Sequence, residues 1–149
     1  MKKLSGFLIL LLIFSSLLYA EKIVFSAGNM SGQAGDSSAT TTLSGGAFIQ
    51  TSSIEITADS IELSGDDYRF IKAEGNIKGK NLETNMEFTC DSMDYDRQTK
   101  VAQLQGNVHL VDSENDVKAD AQIIEYNQNT NIAVLQVGIN LTQKNNVCT

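Results

Sequence analysis

The chain has 149 residues, with 11 Lys and Arg against 18 Asp and Glu, a formal charge of −7. That length suits one globular domain, and an acidic domain repels phosphate backbones, which argues against nucleic acid as a partner. The same charge argues against simple electrostatic attachment to anionic lipid surfaces, so any contact with lipid must be apolar.

Residues 1–20 read as an export signal peptide. Lys2 and Lys3 form a positive start, Leu4 to Leu18 an apolar run, and Ala20 a small residue suited to a signal peptidase. About fifteen apolar residues are short for a membrane span, which needs roughly twenty. Leu18 stands where a small residue is usually preferred, so cleavage and retention as an anchor both stay open. No cysteine follows the run to carry a lipid. Cleavage would leave residues 21–149 as one domain, and losing Lys2 and Lys3 would take the charge from −7 to −9.

Beyond residue 20 proline and tryptophan are absent and histidine occurs once, whereas Gly, Ser, Thr and Asn abound. These are residues of turns and strands, and no long helical stripe appears. A repeat of about thirty residues runs through this part. Pairs of a small residue and aspartate recur at Ala58-Asp59, Cys90-Asp91 and Ala119-Asp120, with a fainter copy at Ala27-Gly28. Between them fall Gly45-Gly46-Ala47, Gly75-Asn76-Ile77 and Gly106-Asn107-Val108, and a fourth mark would fall at Val137, where the glycine is lost.

Each unit has an internal period of two. Leu43, Gly45, Ala47 and Ile49 alternate with polar neighbours, as do Leu104, Gly106, Val108 and Leu110, and Leu135, Val137, Ile139 and Leu141. Ile54, Ile56 and Ala58 do so on the approach to Asp59, but Ile61 and Leu63 follow with the parity shifted by one; Phe88 and Cys90, then Met93 and Tyr95, repeat the shift. In a period-two pattern such a slip marks a corner or bulge. Asp59, Asp91 and Asp120 are therefore predicted at structural corners, accepting bonds from backbone N–H groups that the broken ladder leaves unpaired. Turns are expected at Ser64–Asp67, Asp96–Thr99, Ser113–Asp116 and Asn127–Thr130, which makes neighbouring strands antiparallel. The Ser-, Thr- and Gly-rich stretch from Gly28 to Ser44 fits the register but equally suits a loop. Stacked, bent hairpins would give two facing sheets, with exposed edges at the first and last repeats that can add a strand.

No constellation for catalysis appears, so an enzyme is not expected. His109, the one candidate base, alternates with Val108 and Leu110 on the expected outer face. Asp91, Asp94 and Asp96, and Asp112, Glu114 and Asp116, lack the glycine and distant glutamate of a calcium loop. Neither a metal nor another cofactor is implied. Cys90 and Cys148 stand 58 positions apart. Export permits a disulfide between them, and a buried thiol with a terminal one is the alternative.

The unit of Ala-Asp, a short polar turn and Gly-Asn-Val resembles the OstA-like family of lipopolysaccharide transport proteins, typified by LptA, with LptC and the N-terminal part of LptD as relatives. The matching residues are Ala58-Asp59 with Gly75-Asn76-Ile77, Cys90-Asp91 with Tyr95-Asp96 and Gly106-Asn107-Val108, and Ala119-Asp120 with Tyr126-Asn127. The resemblance covers roughly Phe25 to Leu141; Gly28, Val137 and Cys90 depart from the pattern. It implies an all-β jellyroll of antiparallel strands with an open, V-shaped cross-section. Lipopolysaccharide or a related glycolipid would be held between the sheets, with head-to-tail self-association and LptC-like and LptD-like proteins at the two ends. The inward set that would line the lipid groove, or else simply pack the core, is Ile54, Ile56, Ile61, Leu63, Ile77, Phe88, Met93, Val108, Leu110, Val117, Ile124 and Ile139. The alternative functions are a membrane-anchored, LptC-like adaptor and an envelope scaffold of β-repeats without lipid.

Overall fold

A computed structural model describes residues 22–33 and 39–143. The expected signal peptide and Cys148 lie outside the described residues. Among the described residues ten antiparallel strands form one sheet: β1 (Val24–Ser26), β2 (Asn29–Gln33), β3 (Thr40–Gln50), β4 (Ile54–Ser64), β5 (Phe70–Asn81), β6 (Glu87–Asp96), β7 (Val101–Asp112), β8 (Val117–Asn127), β9 (Ile132–Gln136) and β10 (Asn140–Gln143). From β3 to β8 each strand pairs with the next in sequence. β1 and β2 both pair with β3, and β9 and β10 both pair with β8. The sheet never closes on itself, which is the open jellyroll expected.

The sheet is bent along a line of corners. Register is interrupted at the same level in successive pairs, between Ser44 and Ala47 on β3, Thr57 and Ser60 on β4, Glu74 and Ile77 on β5, Thr89 and Ser92 on β6, and Gln105 and Val108 on β7. Each long strand therefore has two arms. One sheet half holds β1, residues 47–50, 54–57, 77–81, 87–90, 108–112 and 117–121, and β10. The other holds β2, residues 40–44, 60–64, 70–74, 92–96, 101–105 and 123–127, and β9.

Two local devices make the bend. On β4 and β6 two successive residues face outward, Asp59-Ser60 and Asp91-Ser92, so the buried set shifts parity from Ala58 to Ile61 and from Cys90 to Met93. On β5 and β7 two residues take positive φ instead: Gly75 at 79° with Asn76 at 47°, and Gly106 at 78° with Asn107 at 45°. Glycine is required there twice over. It tolerates the left-handed backbone, and a Cβ at Gly75 or Gly106 would overlap the carboxylate of Asp59 or Asp91. The donor at these carboxylates is a side chain rather than the backbone. Asn76 Nδ2 donates to Asp59 at 2.9 Å, and Asn107 Nδ2 donates to Asp91 at 3.1 Å.

The third corner differs from expectation. The buried alternation continues through Ala119 and Ala121 before shifting to Ile124, so Ala121-Gln122, not Ala119-Asp120, occupies the corner of β8. Asp120 sits two residues early, directly opposite His109 on β7, and the two side chains pair on the outer face. Gln122 takes the corner role: its Oε1 accepts from the Asn107 N–H at 3.4 Å, and its own N–H donates to the Val137 carbonyl at 3.0 Å. At the first corner a Cβ on Gly28 would stand 2.7 Å from the Gly45 carbonyl oxygen, which leaves no place for aspartate.

Candidate functional site in the space between the sheet halves

Alternation turns one face of each arm inward, and the two inner faces share a single apolar cluster. Ile54, Ile56, Ile77, Phe88, Val108 and Leu110 enter it from the half that contains β1 and β10. Ile61, Leu63, Met93 and Ile124 enter from the half that contains β2 and β9. All ten are buried. Val117, at the start of β8, is half-buried. Ile139 stands apart: it is 55% exposed and lies in the link between β9 and β10. The strand read through Leu135 and Leu141 is interrupted because Val137 and Gly138 both take positive φ, 63° and 60°, which ends the alternation before Ile139.

Leu43, Ile49, Ile71 and Leu104 belong to the same buried set. Leu43, Ile49 and Leu104 already stood in the alternating pattern, and that was their signal. Tight packing shows at β5 and β6, where a Cβ at Gly79 would overlap the ring of Phe88. Each fully buried aliphatic side chain contributes about 1.5–3 kcal/mol. Cys90 is a buried free thiol on this face, and burial pushes its pKa up to about 12, so it is protonated and unreactive at neutral pH.

Space inside is small. Beneath Asn81, Met86, Phe88, Tyr95, Tyr126 and Gln128 lies an apolar cavity of about 20 Å³. That is roughly the room one water needs, against several hundred Å³ for a site that holds a small organic ligand. A lipid chain does not fit that cavity as it stands. A wider hollow of about 450 Å³ lies on the outer face over Glu55, Lys78, Lys80 and Glu87. It carries both signs of charge and opens to water, which suits an acyl chain poorly.

The polar residues outside the core have structural work that accounts for them. Asp96 accepts from Arg69 Nε at 3.0 Å and Nη2 at 2.7 Å, and from the backbone N–H groups of Gln98 and Thr99. The bonded Arg69 guanidinium holds its carboxyl well below the usual carboxylate range. Asp112 accepts from the N–H groups of Glu114 and Asn115 in its own turn. Asp96 and Asp112 thus organise turns.

Among the described residues the outermost strands of the sheet are β1 and β2 at one end and β9 and β10 at the other. Ile132, Val134, Val137, Ile139 and Leu141 are exposed at the latter end, and Val24 and Met30 at the former. Among the described residues no helix is long and apolar enough to cross a membrane.

A family model described as OstA-like protein matches residues 20–149. No curated protein sequence matches the chain. Among solved structures, LptH from Pseudomonas aeruginosa superposes with a TM-score of 0.69 over 82% of this chain and 94% of its own, at 13% sequence identity. That protein is described as the LptA homologous periplasmic component of a lipopolysaccharide transport device. At this identity the likeness establishes the fold.

Proposed function

Because the chain belongs to the OstA-like protein family, we propose that it is a non-catalytic periplasmic carrier. It would pass lipopolysaccharide or a similar glycolipid from the inner toward the outer membrane through the apolar space between its sheet halves. The observation that carries this reading is the continuous apolar lining inside a sheet that stays open at both edges. Acyl chains crossing an aqueous gap need such shielding, at about 0.8 kcal/mol per buried methylene. Diffuse apolar contact also allows release. The groove residues are the ten buried members of the inward set, Ile54 to Ile124, with Val117 at their margin. The two exposed edges supply head-to-tail contacts with further copies and with LptC-like and LptD-like proteins at either end.

Native mass spectrometry of residues 21–149 with lipopolysaccharide tests the reading, combined with a photo-crosslinking residue placed at Phe88 inside or at Thr89 outside. A stoichiometric adduct that crosslinks from position 88 and not from 89 is the expected result. A mass that stays bare under saturating lipid would sink the carrier reading, and filaments under those conditions would favour the scaffold.

A further inference from the structure

Among the described residues the buried polar side chains are Thr51, Ser53, Asn81 and Gln128. All four lie at strand ends far from the line of corners. Two of them bridge the sheet halves. Gln128, past the end of β8, accepts from the Tyr95 hydroxyl at 2.9 Å and donates from Nε2 to the Ser53 carbonyl at 3.2 Å. Asn81, at the end of β5, donates from Nδ2 to the Tyr126 hydroxyl at 3.4 Å, which in turn donates to Asn131 Oδ1 at 2.8 Å. Asn81, Tyr95, Tyr126 and Gln128 also line the internal cavity.

We propose that these bonds are a clasp across the mouth of the sheet, and that it opens to admit a lipid acyl chain into the cavity beneath. This rests on the carrier reading. Closure by apolar contact would expose oily surface on opening, and a cost proportional to that area would oppose it. The polar bonds at the seam add little to that cost, because water replaces each one as it breaks. The buried amides and phenols otherwise sit in an apolar core where hydrocarbon would pack as well. Their concentration at one seam, directly over the cavity, fits a joint made to part.

The experiment uses the full exported chain carrying Cys148→Ser, with Ser52→Cys and Asn129→Cys introduced on exposed positions flanking the bridge. A short, reducible bis-maleimide then locks the seam. Uptake of fluorescently labelled lipopolysaccharide is expected to slow at least tenfold in the locked protein and to recover on reduction. Gln128→Leu, checked for folding by circular dichroism, is expected to speed uptake about threefold or more. Equal uptake by locked and unlocked protein overturns the clasp and leaves the carrier intact. No uptake by unlocked protein overturns the carrier, and the clasp with it.

Discussion

Val137 holds a φ of 63° at the position where the repeat elsewhere places glycine. A left-handed backbone costs an L-residue roughly 1–2 kcal/mol, and glycine loses about 0.5–1 kcal/mol through its greater freedom when unfolded. Val137 is 63% exposed, so little packing is at stake. Val137→Gly is expected to stabilise the protein by about 0.5–1 kcal/mol, read as a higher urea midpoint at unchanged slope. An unchanged or lower midpoint would count against strain at this corner. Cys90 offers a second test. Its thiol is pushed up to about 12 by burial, against about 8.5 in an unfolded chain. A raised folded value contributes stability that is complete below about pH 8.5 and fades as pH climbs from there toward 12. Iodoacetamide at pH 8 is therefore expected to modify Cys90 rapidly in urea and at least a hundredfold more slowly in the native state. Comparable rates would show that the inner face is accessible.

Turns are coupled across strands by single side chains. Asp96 caps the β6–β7 turn through Gln98 and Thr99 while holding Arg69 in the β4–β5 connection. Its depressed carboxyl pKa, caused first by the Arg69 bond, contributes stability above about pH 3.9 that fades as pH falls below it. Urea midpoints measured from pH 5 to pH 2 are expected to drop more for the native chain than for Asp96→Asn. Parallel curves would show that the pair contributes nothing. At this scale the sequence was legible where local chemistry and register agreed. Asp59 and Asp91 stand at register breaks that the parity slip marks, but their partners, the Asn76 and Asn107 side chains, carried no such signal. On β8 Ala119-Asp120 imitates the motif beside the true corner at Ala121-Gln122. Gln122 can accept a bond at a corner, here from the Asn107 N–H, yet does not look like aspartate, and only the slip after Ala121 separates the two. Ile139 departs from the inward pattern for a related reason: two left-handed residues upstream break the alternation, and valine does not announce such a conformation.

For the molecule as a whole, the bent open sheet was readable from the repeat, because every unit restates the same pattern of strand, corner and turn. The seam between its halves was not. Gln128 falls within an expected turn and Asn81 at a strand end, places that a local reading assigns to solvent, and they are buried because distant strands fold over them. Charge acts at this scale too. Copies bearing a charge of −7 or more repel, and salt screens that repulsion within about 8 Å at physiological strength. Head-to-tail association is therefore expected to strengthen between 50 and 500 mM salt in sedimentation velocity, and Val134→Glu with Leu141→Glu on the last strands should keep the chain monomeric throughout. A native chain that sediments as a monomer at every salt and concentration would argue against edge pairing.

The two ends of the sheet are different surfaces, β1 and β2 on one side and β9 and β10 on the other. A contact between unlike surfaces repeats without returning to its start unless the rotation happens to close a ring. Nothing in such a chain counts how many copies have joined. The span of an assembly would then be decided by supply and by whatever caps its ends, so one short protein could serve gaps of different width with no change in its own length.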